Sequence, residues 1–257
     1  MNLISVMLIC ICVAIGQEDS IPWPIPCEPA MTSGFGDYRS FHFHSGIDIK
    51  TWGETGYPVI AEKDGYVSRI GVSVKGFGLA LYVNHADGSM RVYGHLQGYN
   101  EQIHKYVRKI QYSDQSYSQQ LYLKPTEITF RKGDTLCYTG ESGAGAPHLH
   151  YEFRNANQQT INPFVKGLHG VKDTKAPTIY SISLRPIDTS SRVEGKYSRE
   201  VFRLTKDKND TFTTNFVPLA RGRIGVGVRE IDKADAASNK FNARTLRLYV
   251  DDELYHE

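Results

Sequence analysis

The sequence predicts an all-β protein. Of its 257 residues, 23 are glycine, 11 are proline and 16 are tyrosine, and no long tract is rich in Ala, Leu, Glu and Lys. Short runs of Val, Ile, Tyr and Phe recur between Asp-Gly turns and other glycine-containing loops, which is typical of antiparallel strands. The length is sufficient for one large or two modest domains with buried cores.

Composition and charge exclude several classes of protein. Apolar residues make up 40% of the chain and charged residues 23%, which is ordinary globular usage. This excludes wholesale disorder, a coiled coil and a multi-span membrane protein. Thirty Lys and Arg against 28 Asp and Glu leave a formal net charge of +2. We therefore expect no nucleic-acid partner, because the balance of charge provides no bulk electrostatic attraction.

The N-terminus predicts an exported protein. The apolar run over residues 3–15 is too short to span a bilayer, and Ala14 and Gly16 are suitably small for signal-peptidase cleavage after Gly16. We expect residues 1–16 to be a signal peptide and the mature protein to be periplasmic, cell-surface or secreted, without a stable membrane span. Because no Lys or Arg precedes the apolar run, an uncleaved N-terminal core strand is the alternative.

Signal removal would leave Cys27 and Cys137 as the cysteines of the mature chain. Two cysteines do not make a disulfide framework, so the fold must depend on its core. A single Cys27–Cys137 bridge and two buried free thiols are both compatible with the sequence.

The rest of the chain divides into three regions. Four prolines predict an extended N-terminal segment over residues 17–30, followed by a first domain over residues 31–172. A polar linker ending at Ala176 and Pro177 begins a β-rich C-terminal unit over residues 173–257, whose pattern resembles an immunoglobulin-type β-sandwich. The last four residues lie within a hairpin pattern, which is compatible with a truncated unit.

Local patterns predict several strands in the first domain. Two hairpins are expected around Asp-Gly turns, one from residues 59–61 and 66–70 and the other from residues 79–84 and 90–95. Residues 97–129 are polar and rich in Gln, Tyr and Lys, so we interpret them as an insertion with a short helix near residues 101–110. Further strands are expected at residues 135–139 and 148–154.

His44 and Asp48 form the first candidate site motif. Gly46 between them, and the β-branched Ile47 and Ile49, favour a strand over a helix. Because strand side chains alternate, His44 and Asp48 would share one face while the isoleucines face the core.

A second motif places His148, His150 and Glu152 on one face of a strand. A catalytic zinc requires three protein ligands and an open position, which His44, Asp48 and either His148 or His150 would satisfy. The remaining histidine of the pair would then be a candidate general base or charge-stabilising group. His95, at the end of a predicted hairpin strand, is a further candidate.

These motifs resemble those of the lysostaphin-type (LytM-like) zinc endopeptidases in order and context. The matching segments are His44-x-Gly46-x-Asp48, residues 93–96 and residues 147–152, together with glycine-containing runs at 34–36, 56–61, 64–67 and 132–134. The resemblance spans residues 31–165. It implies an antiparallel sheet with an active-site groove, in which a zinc-activated water attacks a peptide bond of bacterial cell-wall peptidoglycan.

The resemblance also implies a role for each site residue. His44, Asp48 and His150 correspond to the zinc ligands, and His95 and His148 to two active-site histidines that do not bind the metal. The 97–129 insertion and the 144–146 loop depart from the family pattern and border the expected groove, so the choice of substrate is left open. The function implied is hydrolysis of peptide cross-links or stem peptides of peptidoglycan.

A non-catalytic module of the same fold, which binds peptidoglycan or activates another hydrolase, is the alternative function. Degenerate modules of this kind lose one or more metal ligands or active-site histidines, whereas this chain keeps all five residues. The sequence therefore favours an enzyme.

The other histidines are given no role in the site. His42 and His44 form another His-x-His pair, but the register of Gly46 and Asp48 favours His44, so His42 is expected on the groove rim or surface. His85 is expected in a turn. Surface positions are expected for His104, His169 and His256. Tyr112, Tyr117 and Tyr122 could stack on a glycan, although solvated loop positions are favoured.

Overall fold

The computed structural model describes residues 20–143 and 145–257. The signal peptide expected over residues 1–16 therefore lies outside the described residues. The described chain divides into two compact units, one comprising residues 20–174 with Ala234–Asn239 and the other Lys175–Lys233 with Lys240–Glu257. Within the described residues the one α-helix is Glu101–Asp114, and the remaining regular structure is almost entirely antiparallel strand. The predicted all-β class is confirmed.

The strands of the first unit are numbered in chain order over its described residues. They are Met31–Ser33 (β1), Tyr38–Arg39 (β2), His42–Phe43 (β3), Ile47–Lys50 (β4), Pro58–Ile60 (β5), Gly65–Val72 (β6), Leu79–His85 (β7), Met90–Gly94 (β8), Leu96–Tyr99 (β9), Gln119–Tyr122 (β10), Thr129–Phe130 (β11), Thr135–Thr139 (β12), His148–Arg154 (β13) and Thr160–Ile161 (β14). The helix Glu101–Asp114 is α1, and Pro163–Lys166 forms a short 3-10 helix.

The main sheet of this unit has one face on the core and the other on the candidate site. Its strand order is β1-β4-β13-β8-β7-β6-β10, with β11 also paired to β6 and β14 to β13. Ile47 and Ile49 of β4 and Leu149 and Tyr151 of β13 are fully buried on the core face. Burying an aliphatic side chain of this size contributes roughly 1.5–3 kcal/mol. Because side chains alternate along a strand, Asp48 and His150 face the other way.

The strand expected over residues 44–49 begins later than predicted, at Ile47. His44 precedes it, and its backbone hydrogen-bonds with Gly36 and Asp37 of the preceding loop. Gly46 is required at the entry to the strand, because a Cβ there would lie 2.4 Å from the carbonyl oxygen of Tyr151. The loop, rather than strand alternation, therefore places His44 beside Asp48.

One of the two predicted hairpins is present and the other is wrong. Strands β7 and β8 pair as expected around Asp87 and Gly88. Strand β5 instead pairs with β12 in a separate sheet of order β5-β12-β9, and β6 pairs with β7. The Asp64-Gly65 pair is not a hairpin turn, because Gly65 is already the first residue of β6. A local turn pattern cannot reveal a partner that lies about 75 residues along the chain.

The 97–129 insertion is more ordered than the sequence suggested. Helix α1 continues to Asp114, beyond the predicted residue 110, and Asn100 caps its start by accepting a hydrogen bond from the backbone N–H of Ile103. The helix packs Ile103 and Val107 into the core. The chain then returns as β10, which pairs with β6 and widens the main sheet at its edge. The insertion therefore extends the face that carries the site.

The second unit is a small β structure. Its strands are Thr178–Pro186 (β15), Arg192–Val193 (β16), Glu200–Arg203 (β17), Thr205–Lys206 (β18), Phe212–Thr213 (β19), Ala220–Arg221 (β20), Ile224–Ile231 (β21), Leu248–Val250 (β22) and Glu253–His256 (β23). The antiparallel sheet β17-β15-β21 is accompanied by the pairs β16-β20, β18-β19 and β22-β23. An immunoglobulin-type sandwich over residues 173–257 stays a prediction.

The segment Ala234–Asn239 groups with the first unit, although it follows strands of the second. The backbone N–H of Asp235 donates to the carbonyl of Lys172, the Thr174 hydroxyl donates to the Asp235 carboxylate, and Lys50 donates to the side chain of Asn239. The sequence did not predict this return, and the boundary at residue 172 stays a proposal.

Cys27 and Cys137 are both free thiols in the structure. Cys137 is fully buried and Cys27 partly so, and burial raises the pKa of each thiol.

Among the described residues, the structure has no helix that is both long enough and apolar enough to cross a membrane.

Candidate active site

Three buried side chains converge on the open face of the main sheet. His44 Nε2 lies 3.1 Å from Asp48 Oδ1, and His150 Nδ1 lies 3.0 Å from the same oxygen. The two ring nitrogens are 3.0 Å apart. His44, Asp48 and His150 are exposed by only 3%, 5% and 2%, so the cluster is held largely away from water.

Sheet pairing explains why residues so far apart in sequence meet here. Strands β4 and β13 are antiparallel neighbours, and His150 lies directly opposite Asp48 in their register. Asp48 and His150 are 102 residues apart in the chain. Both project from the same face, and the loop before β4 adds His44.

Hydrogen bonds orient both histidine rings. His44 Nδ1 lies 2.8 Å from the carbonyl oxygen of Gly34, and His150 Nε2 lies 3.0 Å from Glu152 Oε1. Each of these ring nitrogens is a donor because its partner can only accept. When the rings are neutral, the opposite nitrogens, His44 Nε2 and His150 Nδ1, present lone pairs toward Asp48 Oδ1, whereas a protonated ring donates a hydrogen bond to Asp48 from the same position. Such outer hydrogen bonds are typical of histidines that bind metal.

The electrostatics keep the carboxylate of Asp48 ionised. Burial by itself would raise its pKa, but the hydrogen bonds with His150 and His44 outweigh burial and hold the pKa well below its usual range. Arg39 Nη2 contacts the other carboxylate oxygen, Oδ2, at 2.5 Å and also donates to Ser33 Oγ. Oδ1 of Asp48 therefore faces the two histidines, while Oδ2 is paired with the Arg39 guanidinium.

The His150 ring shows the opposite balance. Burial lowers its pKa, but the hydrogen bonds with Asp48 and Glu152 outweigh burial and raise it. This ring therefore attracts positive charge between two carboxylates, and either a proton or a metal cation would supply it.

The donor set fits a zinc ion. Two imidazole nitrogens and a carboxylate oxygen are ordinary zinc ligands, and three protein ligands leave a position for a reacting molecule. With zinc–ligand bonds of about 2.0–2.1 Å, ligand atoms in a tetrahedral site are roughly 3.3 Å apart. The separations of 3.0–3.1 Å between the three donor atoms are close to this spacing.

Two further histidines lie beside the cluster with their rings held by backbone carbonyls. His95 Nδ1 donates to the carbonyl of Ser142 over 2.9 Å, and His148 Nδ1 donates to that of Ala146 over 2.8 Å. The ring centroids are 4.7 Å apart, and His148 Nε2 lies 3.8 Å from Asp48 Oδ1. In each ring it is Nδ1, and not Nε2, that the backbone carbonyl engages.

His95 is neutral at physiological pH. Burial lowers its pKa to about 4, against a smaller opposing effect of the hydrogen bond to Ser142. It lies between β8 and β9 with a φ of 58°, a left-handed conformation that few residues other than glycine adopt. Such a strained position at a cluster of functional side chains is typical of active sites.

The structure adds three residues to the site that the sequence did not assign to it. Glu152 bridges His150 and Arg154, whose Nε and Nη2 approach Glu152 Oε2 at 2.7 and 2.6 Å. Phe77 stacks on the His150 ring with centroids 4.7 Å apart, and Arg39 contacts Asp48. The alternation of side chains along β13 had placed Glu152 on the same face as His150. Arg39 and Phe77 do not belong to an alternating apolar and polar pattern, so the sequence did not predict their position at the site.

The remaining histidines lie outside the cluster. His42 is exposed on β3, and His104, His169 and His256 are exposed, as expected. His85, expected in a turn, is the last residue of β7 and begins the 85–88 turn, where its carbonyl accepts from the N–H of Gly88, and its side chain is buried. Its Nδ1 contacts the carbonyl of Asp64 and its ring meets Phe130 edge-on, which gives it a structural role.

A known peptidase family matches the part of the chain that contains three of the five candidate site residues. Residues 42–115 match the model of Peptidase family M23. These residues contain His44, Asp48 and His95. Residues 42–115 are therefore similar to the Peptidase family M23 domain, and the resemblance drawn from the motifs is confirmed.

Curated relatives match about half of the chain. The DD-carboxypeptidase/endopeptidase Mpg of Neisseria meningitidis serogroup B (strain MC58) is 29% identical over 126 residues, covering 49% of this chain and 23% of the relative. The cell division protein DipM of Caulobacter vibrioides is 28% identical over 135 residues, covering 52% of this chain and 18% of the relative. The chain thus spans about a quarter or less of the length of these relatives.

Solved structures of the same kind are also similar. The catalytic domain of the M23 protein EnpA from Enterococcus faecalis is 24% identical with a TM-score of 0.39, covering 56% of this chain and 95% of the solved one. The catalytic domain of lysostaphin from Staphylococcus simulans is 23% identical with a TM-score of 0.37, covering 51% and 86%.

Proposed function

We propose that this protein is a zinc-dependent endopeptidase that hydrolyses peptide cross-links or stem peptides of bacterial cell-wall peptidoglycan. The observation that carries the proposal is the convergence of His44, Asp48 and His150, three buried residues whose potential ligand atoms lie 3.0–3.1 Å apart. The match to a peptidase family and to relatives named as peptidases supports the same chemistry. An exported location follows from this substrate and stays part of the proposal.

In the proposed reaction, His44, Asp48 and His150 are the residues that would hold a zinc ion on the sheet face. A zinc ion in this site would supply an activated water nucleophile and would polarise the scissile carbonyl. Arg39 holds Asp48 through Oδ2, and Glu152 holds His150 through Nε2. These contacts fix the ligand side chains before any metal or substrate binds.

His95 and His148 are the proposed catalytic histidines. Each ring is fixed by a backbone carbonyl at Nδ1, so Nε2 is the atom that accepts or returns a proton. A neutral His95 can accept a proton at pH 7, because its pKa lies well below that pH. A protonated ring in this position would also stabilise negative charge on the tetrahedral intermediate.

The direct test combines metal analysis with cleavage of purified sacculi. The protein as isolated should contain zinc, release muropeptides with new amino termini, and lose this activity in EDTA with recovery on adding zinc. Release of glycan fragments without new amino termini would contradict peptidase activity. Zinc-loaded protein that binds sacculi without cleaving them would instead support the non-catalytic alternative.

Zinc should also stabilise the first unit against heat. At a free zinc concentration 100 times the dissociation constant, binding to the folded state adds about 2.7 kcal/mol. For a unit of this size we expect a rise in unfolding temperature of about 5–11 °C. Differential scanning calorimetry with and without EDTA measures this change. The Asp48→Asn protein is the control, and an equal rise in that variant would contradict binding at this site.

Glu152→Gln tests the support of His150. The substitution keeps the shape of the side chain but removes the charge that faces His150 and Arg154, so zinc affinity should fall roughly 10- to 100-fold. Competition with a zinc-binding dye measures the affinity. Glu101→Gln removes an exposed carboxylate from α1 and should leave the affinity unchanged. Wild-type affinity in Glu152→Gln would show that this carboxylate does not orient the ligand.

A further inference from the structure

A row of side chains crosses the site face of the main sheet, away from the candidate metal ligands. Register places Glu152 of β13 opposite Val92 of β8, Val92 opposite Tyr82 of β7, and Tyr82 opposite Arg69 of β6. Arg69 lies opposite Tyr122 of β10. All five belong to the first unit, and the row ends on the edge strand that the 97–129 insertion contributes.

Arg69 is held in this row between two aromatic rings. Its guanidinium carbon lies 4.6 Å from the centre of the Tyr82 ring and 5.4 Å from that of Tyr122. Its Nε and Nη2 donate to Gln120 Oε1. These contacts hold the plane of the guanidinium in the free protein. Ligand binding at Arg69 therefore costs less side-chain conformational entropy.

Arg69 has no acidic partner in the described part of the chain. Among the residues that the structure describes, no carboxylate forms an ion pair with Arg69, whereas the neighbouring Arg154 is paired with Glu152. Arg69 is only partly buried, and Tyr122 is 73% exposed. A guanidinium has five N–H donors in a planar fork that matches a carboxylate, and Gln120 uses only two of its nitrogens.

A cluster of packed side chains lies between Arg69 and the candidate metal site. Phe77 stacks on His150 and also packs against the buried cluster of Ala80, Tyr82, Met90 and Val92. Three strand spacings of about 4.8 Å, together with the two-residue offset from Glu152 to His150, place Arg69 roughly 15 Å from His150. An extended peptide covers this distance in about four or five residues.

We propose that Arg69, flanked by Tyr82 and Tyr122, is a subsite that binds a carboxylate of the substrate's stem peptide. The proposal rests on the proposed function, because it takes the stem peptide as the ligand. Charge complementarity supports it, since peptidoglycan stem peptides carry free carboxylates and this row holds a fixed cation without an acidic partner. The insertion would then contribute to substrate choice by supplying Tyr122 and Gln120.

Equilibrium binding of two peptides to the full chain tests the subsite. The probes are a peptidoglycan stem tetrapeptide with free carboxylates and the same peptide with its carboxylates converted to carboxamides. A charge-assisted pair at a partly exposed arginine should favour the free carboxylates by about tenfold. Isothermal titration calorimetry is carried out on zinc-loaded and EDTA-treated protein, so that a carboxylate bound at the metal is distinguished from one bound at Arg69.

The variants Arg69→Gln and Tyr122→Ala should both lose the preference for the free carboxylates. Tyr122 is mostly exposed, so its replacement tests the subsite without disturbing the core. Arg108→Gln is the matched control, because Arg108 also lies over a tyrosine ring, that of Tyr112, but on α1 rather than on the site face. This control should keep the preference.

Several results would overturn the subsite. They are equal or undetectable binding of the two peptides by the wild-type protein, a preference that Arg69→Gln retains, and a preference that EDTA abolishes. Because binding is measured without turnover, a tenfold preference that depends on Arg69 would support the subsite even if the protein cleaved no sacculi. The proposed hydrolysis would then fail separately.

Discussion

Replacing His150 by alanine should remove zinc and peptide hydrolysis together. The ring contributes one of three converging donor atoms and lies directly opposite Asp48 in the sheet. Its loss leaves two candidate zinc ligands and removes one hydrogen-bond partner of the buried Asp48 carboxylate. The fall in zinc affinity should therefore exceed the 10- to 100-fold that is typical when a residue that only orients a ligand is replaced. Zinc content by atomic emission and the initial rate of muropeptide release are the two measurements.

The same result is expected for His44→Ala and Asp48→Ala, because each residue supplies one donor atom. His104→Ala is the matched control, since it removes an exposed histidine of α1. Circular dichroism checks that each variant is folded. Stoichiometric zinc in folded His150→Ala protein would show that His150 is not a ligand.

Replacing His95 or His148 by alanine should have the opposite pattern, with zinc retained and turnover lost. Neither residue belongs to the group of three candidate metal ligands. The ring of each is held at Nδ1 by a backbone carbonyl, so Nε2 is the nitrogen proposed to exchange a proton. Positioned acid–base groups contribute roughly 100- to 10,000-fold, so each single variant should lose turnover by about that factor. Initial rates and zinc content are compared with those of His42→Ala, whose exposed ring lies outside the cluster.

The double variant His95→Ala/His148→Ala separates shared from independent roles. If both rings act on one transition state, the loss in the double variant should be much smaller than the product of the single losses. Loss of zinc from His148→Ala with retention in His150→Ala would exchange the roles of these two residues. A near-normal rate in His95→Ala would remove His95 from the mechanism.

Local patterns in the sequence predicted the strand that carries most of the site. The expected strand at residues 148–154 is β13 with the same bounds, and alternation correctly placed His148, His150 and Glu152 on one face. Alternation with a period of two depends only on neighbouring residues. For the same reason the β7-β8 hairpin and the opposite facing of Asp48 and Ile49 were visible in the sequence.

Other parts depended on contacts that no local pattern records. Strand β5 pairs with β12 rather than with its neighbour β6, and His44 is placed by the 34–37 loop rather than by a strand. The helix α1 ends at Asp114, and the backbone becomes left-handed at the following residue, Gln115. These outcomes were decided by which distant segments bury apolar surface together.

The sequence by itself predicted the all-β class through residue type and short-range spacing, and it proposed the candidate site residues through the same spacing together with the family resemblance. The tertiary structure decided how those residues meet, since Asp48 and His150 are 102 residues apart and become neighbours only through the β4-β13 pairing. It also placed Arg39 on Asp48 and Tyr122 beside Arg69. Side-chain direction is a local property of the chain, whereas strand pairing is set by the packing of the whole sheet on its core.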